Sequence, residues 1–170
     1  MPGTERLHVV PRFIGAFERL QSAHRRPLKA IIQGVGIFTP AEVDCAMEVI
    51  DYALTSGSGY TAYAAVQGDN ILGYVCYGAT PITDRVFDMY WLVVDQACQG
   101  QGIGRRLMQF MENELHSTAR MIMIETSSRP PYERARRLYK SMGYQLVGQI
   151  PDFYACGDDK LIFCKRLENT

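Results

Sequence analysis

Residues 98–108, CQGQGIGRRLM, set three glycines at alternate positions, Gly100, Gly102 and Gly104, between an apolar run and two arginines. No other stretch restricts the fold as much. Glycine weakens a helix, yet helix-forming residues follow at once, and the preceding RVFDMYWLVV has the apolar, β-branched and aromatic character of a strand. A strand, a glycine turn and a helix start together form an anion site. The first turn of a helix has unpaired amides and partial positive charge, and glycines admit a phosphate without a side chain in the way. The same stretch also serves as a plain glycine turn with no ligand.

The surrounding pattern organises the chain. After the glycines, Ile103, Leu107, Phe110, Met111 and Leu115 recur at helical spacing, and RMIMIET is a further apolar strand. A strand–helix–strand unit of this length is a crossover that makes its two strands parallel. Upstream, YTAYAAVQ, ILGYVCYG and RVFDMYWLVV are strand-like runs with short turns between them, hence an antiparallel meander. Thr39-Pro40 with Glu42 caps an amphipathic helix lined by Val43, Ala46, Met47, Ile50 and Leu54. Downstream follow a helix (YERARRLYKSM), a strand (YQLVGQI), a loop (PDFYACGDD) and a strand (KLIFCKRL). The segment KAIIQGVGIF reads as a strand, and Phe13, Phe17 and Leu20 predict a helix over 12–24. The predicted organisation is a helical appendage over 1–28 and one mixed α/β domain over 29–170.

Composition narrows the function classes. The 170 residues are 47% hydrophobic and 21% charged, which suits one soluble domain. No apolar run approaches the roughly 20 residues of a membrane span, and MPGTERLHVVPRF lacks the apolar core of an export signal. The 18 basic and 18 acidic residues balance and are scattered, which argues against a nucleic-acid surface. RARRLYK is a basic cluster on a short helix, read as a solvated face. Five cysteines without a CxxC pair suggest neither a disulfide framework nor a metal site, and point to small thiols in a reducing cytoplasm.

Three phosphate-binding patterns compete for the glycines. A nucleoside triphosphate loop needs a lysine and a hydroxyl residue after its last glycine, and both are missing. A dinucleotide fingerprint fits Gly100 and Gly102 but meets Arg105 at its third glycine, and the antiparallel meander contradicts the parallel start that fold requires. The third pattern, [QR]xxGx[GA], is matched by Gln99, Gly102 and Gly104. With YWLVVD before it, MIMIET after it and ARRLYKSMGYQLVG beyond, the chain over about residues 29–167 resembles the GNAT superfamily of acyl-CoA-dependent N-acetyltransferases.

That resemblance implies a central, mostly antiparallel sheet with a splayed parallel strand pair and flanking helices. It implies acetyl-CoA as cofactor, its pantetheine arm on the edge of Leu92, Val93 and Val94, and its pyrophosphate on Gln99, Gly100, Gln101, Gly102, Ile103, Gly104 and Arg105. Tyr139 is the implied acid for the departing thiolate, and Glu125 stands where the branch that acetylates protein N-termini carries its base. Asp88, Asp95 or a water chain are alternatives to Glu125. The Val94 N–H is the implied donor to the carbonyl oxygen. Where the family often has an asparagine near the pantetheine, this chain has SSRPPYERA, with Tyr132 nearest. Cys98 is either an inert or a modifiable thiol beside the loop. The acceptor pocket draws on IPDFYACGDDK, with Tyr154 and Asp152 as binding residues and Asp158 and Asp159 as further acids, a combination suited to a cationic amine. The leading expectation is a cytoplasmic N-acetyltransferase acting on a small-molecule amine, with no metal, nucleic acid or membrane partner. A protein N-terminal or lysine acetyltransferase and a non-catalytic acyl-CoA sensor stay open, as does a homodimer.

Overall fold

In a computed structural model, which describes residues 14–167, seven strands form one sheet in the order β1-β2-β3-β4-β5-β7-β6. The strands are β1 (Ala16–Arg19), β2 (Tyr60–Gln67), β3 (Asn70–Ala79), β4 (Val86–Val94), β5 (Met121–Ser127), β6 (Gln145–Ala155) and β7 (Asp158–Arg166). Helices α1 (Arg25–Val35) and α2 (Pro40–Ala53) cover one face; α3 (Ile103–Leu115) and α4 (Glu133–Ser141) lie on the other. The sheet is buried on both sides, so β3 carries apolar residues at consecutive positions. Tyr74 and Cys76 join the α1/α2 core, whereas Val75 and Tyr77 join the α3 core.

The meander β2–β3–β4 is antiparallel, and α3 carries the chain over to β5, parallel to β4. Parallel pairing runs from Val86↔Met121 to Met89↔Ile124 and stops there, although β4 continues to Val94 and β5 to Ser127. The cause is local. Cys76 pairs with Trp91 and Tyr77 with Met89, so Tyr90 is an extra residue in β4. Such a bulge bends its strand, here immediately beyond the last parallel pair, and β4 turns away from β5. This is the splay that the family resemblance implies.

The first part of the chain departs from expectation. Within the segment 12–24, Ala16–Arg19 is not helical but a strand, paired antiparallel with β2 from Ala16↔Val66 to Arg19↔Tyr63. Phe17 meets Phe110 of α3 at 4.8 Å while Leu20 joins the opposite core. A spacing of three puts two residues on one helix face but on opposite faces of a strand, and sheet pairing decided between them. Residues 29–35, expected in a strand, belong to α1. Leu28, Ile31 and Ile32 are its buried face, and Gly36 (φ +73°) ends it in the left-handed conformation. The expected boundary after residue 28 therefore falls inside α1, and β1 is hydrogen-bonded into the main sheet. Phe13 and the rest of residues 1–13 lie outside the described residues.

The cap expected at Thr39 forms. Thr39 Oγ1 accepts from the Glu42 N–H at 3.2 Å, and Glu42 Oε2 accepts from the Thr39 N–H at 2.7 Å. The segment PDFYACGDD, expected as a loop, is instead the end of a β-hairpin. β6 runs on to Ala155 and β7 starts at Asp158 around Gly157 (φ +77°). Among the described residues no helix is long and apolar enough to cross a membrane.

Candidate active site

Two adjoining clefts open where β4 leaves β5. The first, about 350 Å³, is bounded by Leu92, Val93 and Val94 of β4, residues 99–100 and 102–105 of the turn, Val35 and Phe38 from the α1 side, and Arg134, Ala135 and Leu138 of α4. The second, about 320 Å³, shares Ile37, Phe38, Leu92, Pro131 and Ala135 with the first and continues past Trp91 to Glu125, Tyr139 and Tyr154.

The turn into α3 is built for close approach. Asp95 Oδ1 accepts from the Ala97 N–H at 2.9 Å and starts a 3₁₀ turn over Gln96–Cys98. Gly100 (φ +85°) and Gly102 (φ +80°) then take left-handed conformations that side chains disfavour, and Gly102, at the N-cap of α3, brings no side-chain acceptor to its first amides. The third glycine has a different reason. A Cβ on Gly104 would lie 3.2 Å from Leu138 Cδ2 and 3.6 Å from Val94 Cγ2, so its bareness lets α3 approach α4 and β4.

The remaining loop residues divide. Gln99 donates to the Val94 carbonyl at 3.3 Å and accepts from Arg134 Nη1 at 3.1 Å. Ile103 is buried in the core and also borders the cleft. Arg105 also borders the cleft, but its guanidinium is turned to α4, donating to Ser141 Oγ at 2.6 Å and to Met142 Sδ at 3.1 Å. Gln101 does not line the cleft; its amide donates to the Ala97 carbonyl. Arg134, from the cluster read as a solvated face, turns its guanidinium to the turn. Cys98 lines the cleft, its thiol pushed up by burial and then by Asp95.

In the second cleft Tyr139 is 6% exposed, its hydroxyl raised well above the ordinary phenol range by burial and, less, by Tyr132. Glu125 lines the same cleft, ion-paired with Lys160 Nζ at 2.7 Å; that ammonium also sits 4.0 Å from the centre of the Phe153 ring. Tyr154 lines the cleft, but Asp152 does not. The Asp152 carboxylate accepts from the Gly157 N–H at 2.6 Å and its N–H donates to Asp159, so both acids hold the hairpin end. Asp158 lines the cleft, buried in its wall, accepting from Ser127 Oγ and paired with Arg129 at 3.2 Å. Asp88 accepts from Thr80 Oγ1 and Asp95 caps its turn, so neither lines this cleft.

Sequence reading missed Glu42, Lys160 and Arg129 at this site. Glu42 lines the second cleft and accepts from the Tyr132 hydroxyl at 3.0 Å. Burial alone pushes its carboxyl up, but hydrogen bonds from Thr39 and Tyr132 outweigh this and hold it below the usual carboxylate range. Its capping-box role was legible; the cleft beside it was not, because Tyr132 lies 90 residues away.

Residues 58–146 match the acetyltransferase (GNAT) domain family. The chain belongs to the GNAT acetyltransferase family. An uncharacterized N-acetyltransferase of Methanocaldococcus jannaschii is 33% identical over 79 residues, 46% of this chain and 51% of that protein. The N-alpha-acetyltransferase RimI of Mycobacterium tuberculosis is 34% identical over 93 residues, 53% of this chain and 55% of that one. The chain thus spans about half the length of the curated relatives it matches. A GNAT-family protein of Desulfovibrio desulfuricans, known from its crystal structure, superposes with a TM-score of 0.85 at 32% identity, covering 90% of this chain and 99% of that one. The GNAT match takes in β2, β3, β4, the glycine turn, α3, β5 and α4, and so includes the turn and the β4 edge of the first cleft and Glu125 and Tyr139 of the second, but not the α1–α2 segment or the β6–β7 hairpin end that complete the walls.

Proposed function

We propose that this GNAT protein transfers the acetyl group of acetyl-CoA to a cationic primary amine of a small molecule. One observation carries the reading: Tyr139 and Glu125 line a single cleft that joins the cleft of the glycine turn along Leu92. The first cleft suits coenzyme A. Gly100, Gly102 and the first amides of α3, with Gln99 and Arg134, would hold the diphosphate, and the edge of β4 from Leu92 to Val94, released from β5, would pair with the amide-rich arm. Bound there, acetyl-CoA supplies the activated thioester.

The acceptor nitrogen forms its bond to the acetyl carbon while the carbon–sulfur bond breaks. The amine proton passes to Glu125, directly or through water, and the sulfur takes the Tyr139 hydroxyl proton. The Tyr139 phenol, raised further by burial, is fully protonated at neutral pH and so carries the proton to be given. The Val94 N–H would donate to the carbonyl oxygen as charge grows there. Three carboxylates, Glu42, Glu125 and Asp158, set against the two cations Lys160 and Arg129 that pair with the latter two, leave one negative charge in excess, and with Tyr90, Trp91 and Tyr154 this favours a cationic acceptor over an anionic one. Five free cysteines support a reducing compartment, the cytoplasm.

A second reading, acetylation of a protein N-terminus, is favoured by Tyr154 on the β6–β7 hairpin beside Glu125 and by the similarity to RimI. Thiol release from acetyl-CoA, measured over a panel of small amines and short peptides, separates the two. Turnover confined to peptides overturns the small-molecule acceptor; tight cofactor binding with no turnover of any amine overturns both in favour of a sensor.

A further inference from the structure

Three tyrosines lead out of the acceptor cleft to solvent. Tyr90, the bulged residue of β4, lines the cleft; its ring lies 5.0 Å from that of Tyr60 at the start of β2. The Tyr60 ring in turn stacks on Tyr52 of α2 at 5.7 Å, the planes within 19°. Tyr90 and Tyr52 remain 37% and 54% exposed, so this row is not core. The backbone makes room for it. A Cβ on Gly78 would come within 2.4 Å of the Gly59 carbonyl oxygen, so the close approach of the chain at Gly59 requires glycine there, and its bareness also leaves room for the Tyr90 ring edge, which a Cβ would meet at 3.1 Å.

The helix beside the row, α2, carries charge of one sign. From Pro40 to Ala53, α2 carries Glu42, Asp44, Glu48 and Asp51 and neither lysine nor arginine. Asp51 is neutralised by Arg25 at 2.6 Å, whereas Asp44 and Glu48 are exposed. Glu48 precedes Tyr52 by one helical turn, so the two share a face at the outer end of the row. At the inner end Asp88 stands close enough to Tyr90 to help raise its hydroxyl to about 12, after burial and ahead of Tyr60. A neutral tail on the acceptor gains from the rings alone, and an anionic one is repelled. A cation gains from both the ring faces and the carboxylates.

We propose that the acceptor carries a second positive charge, an ammonium or guanidinium set back from the reacting amine, and that Tyr90, Tyr60 and Tyr52, with Glu48 beyond them, receive it. This rests on the reading of the second cleft as the acceptor site, and the row is continuous with that cleft through Tyr90. The shared chemistry has two sources, a linear polyamine or a short basic peptide.

The test uses the full chain with coenzyme A present. Binding of a linear triamine, and of a monoamine of equal length, is followed through the fluorescence of Trp91, the one tryptophan of the chain, which lines the cleft. The triamine is expected to bind at least tenfold more tightly than the monoamine, and Tyr52→Ala and Glu48→Lys are each expected to reduce that ratio severalfold. Both positions are exposed, so the variants fold, which circular dichroism checks. A tripeptide with a free amino terminus and lysine at its third position, run against its alanine counterpart, identifies a peptide source if its preference is the one that falls in Tyr52→Ala. Equal binding of charged and uncharged partners, or a preference that survives both substitutions, overturns the proposal. Because the readout is binding, absence of acetyl transfer refutes the enzymatic reading separately.

Discussion

The Arg134 guanidinium hydrogen-bonds the side-chain oxygen of Gln99 at 3.1 Å, so a cation from α4 stands over the glycine turn that opens α3. Replacing Arg134 by alanine is expected to weaken acetyl-CoA binding about tenfold, roughly 1.4 kcal/mol, with little change in kcat. Lysine at the same position should recover only part, since it lacks the planar fork. Calorimetric titration with acetyl-CoA decides this, and unchanged affinity in the alanine variant would remove Arg134 from the cofactor site.

Tyr139→Phe is expected to bind acetyl-CoA as the parent does and to lose kcat by tenfold or more. The pH dependence has a definite sign. A phenol acting as acid works while protonated and fails as pH rises through its pKa. Burial raises that pKa above the ordinary 10, so no loss of kcat from this group is expected up to pH 10. A mutation-sensitive alkaline limb near pH 8 would contradict the assignment.

Glu125→Gln keeps the shape of the side chain and removes its charge. It should lower kcat/KM for the acceptor at least tenfold while leaving the dissociation constant of acetyl-CoA unchanged. Steady-state kinetics at saturating cofactor measures it; an unaltered value would leave proton removal to water.

Gly102 and Gly104 separate two roles of glycine. Gly102→Val meets no neighbour within 4 Å but must hold φ near +80°, a strain of about 1–2 kcal/mol, and should weaken cofactor binding. Gly104→Val carries no positive φ but pushes into Leu138, and should lower Tm by moving α4. Equal effects of the two on cofactor affinity would refute this division.

Two further glycines predict opposite signs of stability. A Cβ on Gly73 would lie 2.4 Å from the Val93 carbonyl oxygen, so Gly73→Ala must displace β4 itself and is expected to lose folded protein. Gly34, exposed within α1 with nothing within 4 Å, should gain about 0.5–1 kcal/mol on substitution by alanine. Thermal unfolding of the pair checks both.

The motif-bearing half was legible because its signals are local. The alternate glycines, the amphipathic period of α3 and the Thr39–Glu42 box each follow from spacing within one element, and these placed the turn, the crossover and the cap where the structure has them. Residues 16–35 were misread because their pattern suits two periods. Phe17 and Leu20 lie three apart in either a helix or a strand, and only the hydrogen bonds offered by β2 made the segment a strand.

The chain alone determined that a strand, a bare turn and a helix follow one another around Gly100–Gly104, since backbone freedom and hydrophobic period are properties of neighbours in sequence. Tertiary structure decided which side chains face the clefts. Arg134 reaches Gln99, Lys160 holds Glu125 and Glu42 meets Tyr132, while Asp152 turns to Gly157 instead. Each of the first three contacts joins residues at least 35 positions apart, whose distance is set by helix packing and strand order rather than by any spacing along the chain.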